Sequence, residues 1–332
     1  MIRVALLGAG EMAEHHARGL RAHRADCSIA GVWGEDSEAA AARADSLGVA
    51  AFEDLEQVWE HVDAVIAGDL GEARARIVGS ALAKGVDVLI EPPLQMTETE
   101  KQRILGGIVR APRKPVVMVG HDELYNPALS AVRQLVSGMT IVSIDVERHD
   151  VRSTGAIPES FDIVDSMLAP DLELVSALMG QPVIATQSAG GRSKPEQPFD
   201  HARALLVLED NTLVTLTASC SGSARVRELK ITTTDALLRC DLDRGIVEAI
   251  KTVSVDESGS IGSVVHKIDV PYRDPFEVQI ESFLDCIARR LKPRLTIGAV
   301  MEAEETADAI RNRMALLDRR APSRRTGKLR AA

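Results

Sequence analysis

A chain of 332 residues exceeds what one hydrophobic core usually supports, so two domains are expected. Its 45% apolar and 27% charged residues are ordinary for a soluble globular protein, and no run nears the ~18 apolar residues of a membrane span. A formal net charge of −10 argues against nucleic acid as a partner, since phosphate contacts need a basic face.

The first element, Arg3–Leu7, is apolar but runs into Gly8 and Gly10 with no small-residue cleavage site after it. It reads as a strand, not as a signal peptide. Further strands are predicted at Ser28–Trp33, Ala64–Ala67, Asp87–Ile90 and Pro115–Val119. Amphipathic helical runs lie between them at Met12–Ala22, Ser37–Leu47, Leu55–Val62, Gly71–Lys84 and Thr97–Val109. Strand and helix alternating at this spacing imply βαβ units around a parallel sheet, and strands this apolar should be covered on both faces.

Past Tyr125 the pattern changes. A helix over Pro127–Ser137 leads to a strand at Ile141–Arg148, and a helical segment covers Phe161–Met179. Strand-like runs follow at Ala202–Leu208, Thr212–Ser219, Glu228–Thr233, Leu237–Leu242 and Val264–Val270, with Gly190–Pro198 read as a surface loop. Consecutive short strands with tight turns predict an antiparallel sheet open on one face. Helices at Phe276–Arg289 and Val300–Leu317 close the pattern, and the basic residues from Arg319 onward read as a solvated tail. The expected division is residues 1–120, residues 121–320 and a tail of 321–332. Cys27, Cys220, Cys240 and Cys286 are scattered without a CxxC pair, as expected of reduced, buried thiols in a cytoplasmic protein.

Gly8-Ala9-Gly10-Glu11-Met12-Ala13 is a G-x-G-x-x-A turn between a strand and a helix. Gly8 permits the tight turn, Gly10 lets backbone approach a pyrophosphate, and Ala13 allows close helix–strand packing, while the helix N-terminus offers free N–H groups. A turn without a ligand would look the same at this level; the βαβ context favours a dinucleotide. The second strand ends in Gly34-Glu35-Asp36-Ser37, where Glu35 or Asp36 can accept from a ribose diol or instead cap the next helix. With no Arg or Lys nearby in sequence to hold a 2′-phosphate, NAD is preferred over NADP. No metal site is expected, because the adjacent His15 and His16 point in different directions on a helix.

The segments GAGEMAEHHARGL (8–20), DLEQVWEHVDAVI (54–66), ALAKGVDVLIEPPL (81–94), YNPALSAVRQLVSG (125–138) and, more weakly, DLELVSALMG (171–180) come in an order and spacing that resemble the Gfo/Idh/MocA oxidoreductases. The resemblance covers nearly the whole chain. It implies an α/β protein with an N-terminal Rossmann dinucleotide-binding domain and a C-terminal α+β domain whose open, mostly antiparallel sheet forms a homodimer or homotetramer face. It matches Gly8, Gly10, Met12 and Glu91, and with the rest of the turn and the strand ends the expected NAD or NADP site is Gly8, Ala9, Gly10, Glu11, Met12, Glu35, Asp69 and Glu91. It also exposes departures. The family's Glu-Lys-Pro motif is matched by Glu91 and Pro93, but Pro92 stands at the lysine that orients substrate and shares the transferred proton. The family histidine that acts as general acid/base falls on Pro170, with Ser166, Leu168 and Glu173 at the neighbouring motif positions. Asp69, Leu70 and Arg74 replace its Thr-Pro and histidine, and Glu123 and Leu124 its paired arginines.

Oxidation of an alcohol still needs a group to take the hydroxyl proton. The replacements expected after the last parallel strand are His121, Asp122, Glu123 and Tyr125, where ligands of open α/β sheets sit; Tyr125 also suits packing. Asp165, Asp171 and Glu173 are expected to face the same cleft, with capping or solvation as the plainer role. The leading function is an NAD(P)-dependent oxidoreductase acting on CH–OH, C=O or C=N groups of a sugar, cyclitol or related small polar metabolite. The alternatives are an inactive or regulatory binding protein and a non-redox enzyme that keeps the dinucleotide fold.

Overall fold

The computed structural model describes residues 1–92, 94, 96–151, 157–194, 196–220, 222, 224–254 and 261–320. Pro93 and the basic tail of residues 321–332 lie outside them. The chain opens with β1 (Ile2–Leu7), α1 (Met12–Ala22), β2 (Cys27–Trp33), α2 (Ser37–Leu47), α3 (Leu55–His61), β3 (Ala64–Ala67), α4 (Arg74–Ala83), β4 (Asp87–Ile90), α5 (Glu98–Arg110), β5 (Val117–Val119) and α6 (Pro127–Val136). It continues with β6 (Ile141–His149), α7 (Ala169–Met179), β7 (Val183–Gly191), β8 (His201–Leu208), β9 (Leu213–Ser219), β10 (Val226–Thr233), β11 (Ala236–Asp241), β12 (Ile246–Ser254), β13 (Ile261–Ile268), α8 (Pro275–Arg289) and α9 (Ile297–Arg320).

By contacts the chain divides into two compact units. One joins residues 1–130 to 271–301; the other joins 131–270 to the described residues from Glu302 onward. In the first, five parallel strands run in the order β2-β1-β3-β4-β5. Val4 to Leu7 and every residue of β3 and β4 are at most 1% exposed, as strands covered on both faces require. The order reverses between β1 and β3, so a crevice forms outside the carboxyl ends of those neighbours.

β4 begins with a carboxylate at 0% exposure. Asp87 accepts from Arg113 Nη1 and Nη2 (3.0 Å each), from Arg290 Nη1 (3.0 and 2.9 Å) and from the Val116 amide (2.7 Å). Arg290 ends α8 in a left-handed conformation, φ 55°, which aims it back at the sheet. Asp87→Ala strands the Val116 N–H and both guanidinium groups. Because the two arginines can swing to solvent, the expected loss in urea unfolding is about 2 kcal/mol, not the larger penalty of a buried unpaired charge.

The second unit is built on eight strands in the order β13-β12-β11-β10-β6-β9-β8-β7. Neighbours are antiparallel except β6 and β9, which run parallel from Ser143↔Leu213 to His149↔Ser219. Ala202, Ala204, Leu206 and Leu208 alternate inward along β8, while Leu205 and Leu213 point outward at 46% exposure each. Asp171 on α7 is fully buried and its Oδ1 accepts from Arg148 (2.9 Å) and Arg227 (2.7 Å), the latter 2% exposed at its side chain. Two strands were not foreseen. β12 mixes Glu248 and Lys251 into its apolar run, and β7 is an edge strand with a largely exposed pattern. Gly190 and Gly191, read as loop, pair with Ala202 and His201 as the end of β7. The single helix predicted over Phe161–Met179 is a π turn, Val164–Leu168, followed by α7. The run from Gly71 likewise starts as a 3-10 turn before α4. All four cysteines are buried thiols. Among the described residues no helix is long and apolar enough to cross a membrane.

Candidate functional site

The glycine turn leaves β1 at the reversal point. Gly8 has φ +104°, and a Cβ there would lie 2.8 Å from the Asp69 carbonyl oxygen, so neither the dihedral nor the space admits a side chain. α1 then starts with Glu11 at its N-cap and no side-chain hydrogen bond closing that end. An uncapped helix N-terminus behind a glycine turn leaves N–H groups and the positive end of the helix dipole facing outward, features that suit an anionic group such as a pyrophosphate. Arg43 on α2 braces the turn, its Nε donating to the Ala9 carbonyl at 3.1 Å. At the end of β2, Asp36 is committed to capping α2, accepting from the amides of Glu38 and Ala39 at 3.0 Å each. Glu35, beside it, takes no part in that cap. It lies 3.5 Å from Arg76 of α4, so a basic residue absent nearby in sequence is present in space.

Asp69, at the end of β3, stands against the turn: a Cβ on Gly10 would be 3.6 Å from its carboxylate. Half-buried Arg74 compensates, acting electrostatically with Asp69, Glu91 and Glu100, while burial pulls its own pKa down. Beyond β4, Glu91 is 7% exposed and its Oε1 accepts from Gln279 Nε2 of α8 at 2.8 Å. His16 of α1 places Nε2 3.4 Å from the same oxygen. Burial pushes the Glu91 carboxyl up to about 7, with Asp122 adding to the rise and Gln279, Arg74 and His121 opposing it. Burial also pulls the His16 imidazole down to about 4.

His121 follows β5. Its backbone N–H donates to Gln279 Oε1 at 2.9 Å, its ring nitrogen lies 3.9 Å from Glu123, and it is 7% exposed. Asp122 is exposed at the start of a 3-10 turn, Asp122–Tyr125. Tyr125 is completely buried, its hydroxyl 3.6 Å from Met118 Sδ and its ring 5.0 Å from the Arg294 guanidinium, the placement of a packing residue. In the second unit Asp165 is bound by Arg311 and Asp171 by its two arginines, so both carboxylates have structural partners. His15 stacks on Phe276 at 5.6 Å, apart from the buried His16. Among the described residues no three His, Cys, Asp or Glu side chains gather to hold a metal ion.

The carboxyl ends of β1, β3, β4 and β5 thus carry a glycine turn before an uncapped helix, the Asp69 carboxylate, a buried carboxyl pushed up to about 7, and an imidazole. Sequence reasoning missed Gln279, Arg74 as a charge partner, and His16 beside Glu91. One signal for Gln279 was available. It falls on the apolar stripe of α8, between Phe276 and Phe283, where a polar residue needs a buried partner.

Residues 2–121 match the Gfo/Idh/MocA family, described as "Oxidoreductase family, NAD-binding Rossmann fold". A UDP-N-acetylglucosamine 3-dehydrogenase of Acidithiobacillus ferrooxidans is 25% identical over 287 residues, covering 86% of this chain and 89% of the relative. An inositol 2-dehydrogenase of Paenarthrobacter aurescens is 24% identical over 312 residues, covering 89% and 90%. A solved structure of the Acidithiobacillus ferrooxidans enzyme superposes with a TM-score of 0.81 at 23% identity, covering 96% of this chain and 98% of that one. The parallel sheet, the glycine turn and the match place residues 2–121 with the NAD-binding Rossmann domains of the Gfo/Idh/MocA oxidoreductase family.

Proposed function

We propose that the protein is an NAD(P)-dependent oxidoreductase acting on a hydroxyl or carbonyl carbon of a sugar, cyclitol or similar polar metabolite, with His121 and Asp122 handling the proton. The observation that carries this reading is the convergence on one sheet edge of the uncapped glycine turn, Asp69, Glu91 and His121. Gly8 to Met12 hold the pyrophosphate and Glu35 the adenosine ribose, while Asp69 offers its carboxylate to sugar hydroxyls. The nicotinamide supplies hydride acceptance when bound. His121, or Asp122 exposed beside it, takes the hydroxyl proton in place of the lysine and histidine for which Pro92 and Pro170 stand. NAD is the favoured cofactor because Glu35 would repel a 2′-phosphate; Arg76, 3.5 Å from it, is the residue that reduces that preference. The chain assembles as a homodimer or homotetramer through the open sheet face that carries Leu205 and Leu213.

Calorimetric titration is expected to give NADH binding tighter than NADPH, with the gap closing in Glu35→Ala. Turnover followed by NADH absorbance over sugars, cyclitols and keto-sugars should fall about 100-fold in His121→Ala, as loss of a general acid/base does. Turnover that survives both His121→Ala and Asp122→Ala rejects these residues as catalysts. A second reading, a binding protein without redox chemistry, is favoured by the Asp69 carboxylate beside the turn, which repels a pyrophosphate. Absence of binding by either nucleotide would overturn the oxidoreductase reading in its favour.

A further inference from the structure

The Gln279 side chain is fully buried, and both ends of its amide are engaged: Nε2 donates to Glu91 and Oε1 accepts from the His121 N–H. Those two bonds fix which end of the amide points where. The surrounding backbone is already tied, Gly120 N–H to the Ile90 carbonyl (2.8 Å), Val119 N–H to Leu295 (3.1 Å) and Leu124 N–H to His121 (3.0 Å). The Glu91 carboxyl also lies directly on the residue before the histidine, since a Cβ on Gly120 would meet Glu91 Oε1 at 2.6 Å. α8 therefore contributes more than apolar packing to this edge of the sheet.

We infer that Glu91 and Gln279 are a positioning pair for His121: the carboxyl orients the amide, and the amide sets the backbone from which the imidazole projects. This rests on the proposed role of His121. The pair is also sensitive to pH, because an ionised Glu91 accepts from Gln279 as the neutral acid does but adds a charge beside His121. The groups facing Glu91 are His16 from α1, Arg74 from α4, His121 and Asp122 from the turn after β5, and the uncharged Gln279 from α8. Glu91 accordingly adds an ionisation near pH 7 to the activity profile.

Three variants separate the possibilities, each checked for native unfolding behaviour. Gln279→Leu removes both bonds; kcat should fall about tenfold or more while NADH affinity stays within about twofold, as for residues that orient a reacting group. Glu91→Gln keeps an acceptor for Gln279, so the His121 backbone should stay held while the ionisation near pH 7 disappears from the activity profile. Gln279→Glu offers His121 an acceptor and needs a proton shared with Glu91, so activity should recover on the acid side and collapse above pH 7. An activity-independent readout is amide hydrogen exchange at His121, expected to be protected in the parent and Glu91→Gln and at least about tenfold faster in Gln279→Leu. Unchanged His121 exchange in a folded Gln279→Leu protein would overturn the pairing, whatever the cofactor titration gives. Lost exchange protection with no effect on kcat or on the pH profile would overturn its functional role and leave it structural.

Discussion

Glu91→Gln should gain about 3 kcal/mol of stability relative to the parent protein as the pH rises from 4.5 to 7. The buried carboxyl binds its proton more tightly folded, at about 7, than unfolded, at 4.5. In that window the native state holds a proton that the unfolded state has lost, so this contribution is full below pH 4.5 and disappears as pH climbs through 7. His16 does the reverse. Its folded value of about 4 lies below the unfolded 6.5, so the unfolded chain takes up the proton first and stability falls as pH drops from 6.5 to 4. The two slopes cancel between pH 4.5 and 6.5 in the parent protein. Glu91→Gln exposes the histidine's acid-side loss, and His16→Asn exposes the carboxyl's loss toward neutrality. Although they lie 3.4 Å apart, the two groups are both neutral across that range and make no ion pair. Urea unfolding of the three proteins from pH 4 to 8 tests this; parallel curves would show that neither group is shifted.

Arg227→Met should cost about 3–5 kcal/mol, the penalty of breaking a buried ion pair from one side. Asp171 has no exposed surface, and the methionine leaves its carboxylate with a weakened set of donors in a medium that cannot hydrate it. The loss should be specific to one-sided removal. Replacing Arg148, Asp171 and Arg227 together by leucine, leucine and methionine deletes the charges as a set and should restore most of the stability, since apolar packing then replaces the cluster. Denaturant midpoints of the single and triple variants decide it. A loss below about 1 kcal/mol for Arg227→Met would mean that water reaches Asp171.

The elements of the first unit were legible because βαβ units announce themselves locally. Met12–Ala22, Ser37–Leu47, Ala64–Ala67 and Asp87–Ile90 end where the periodicity and the caps end. β7 and β12 were not, because edge and solvent-facing positions leave an incomplete alternation. The parallel β6–β9 pair has no local signature either, since residues 70 apart in the chain set it. At the candidate site, Gly8, Gly10, Asp69 and His121 were singled out from their positions along the strands, and Glu91 from the family motif. Their partners were not, because Arg76 to Glu35 and Gln279 to Glu91 are contacts across 41 and 188 residues. Tyr125 illustrates the limit of reading a residue by type: a tyrosine beside a strand end suits chemistry or packing equally until its burial is known.

The first unit takes its last pieces from residues 271–301, long after β5 has emerged from the ribosome. A nascent chain that ends before Pro271 has its parallel strands but not Arg290 for Asp87, nor Gln279 for Glu91 and the His121 amide. Closing so long a loop adds an entropic barrier, and contacts of such sequence separation form slowly. Synthesis therefore delivers the glycine turn early and the Gln279 contact to His121 late. The candidate site becomes complete only after all of residues 131–270 have been made, so a chain stalled within the second unit cannot carry a finished one.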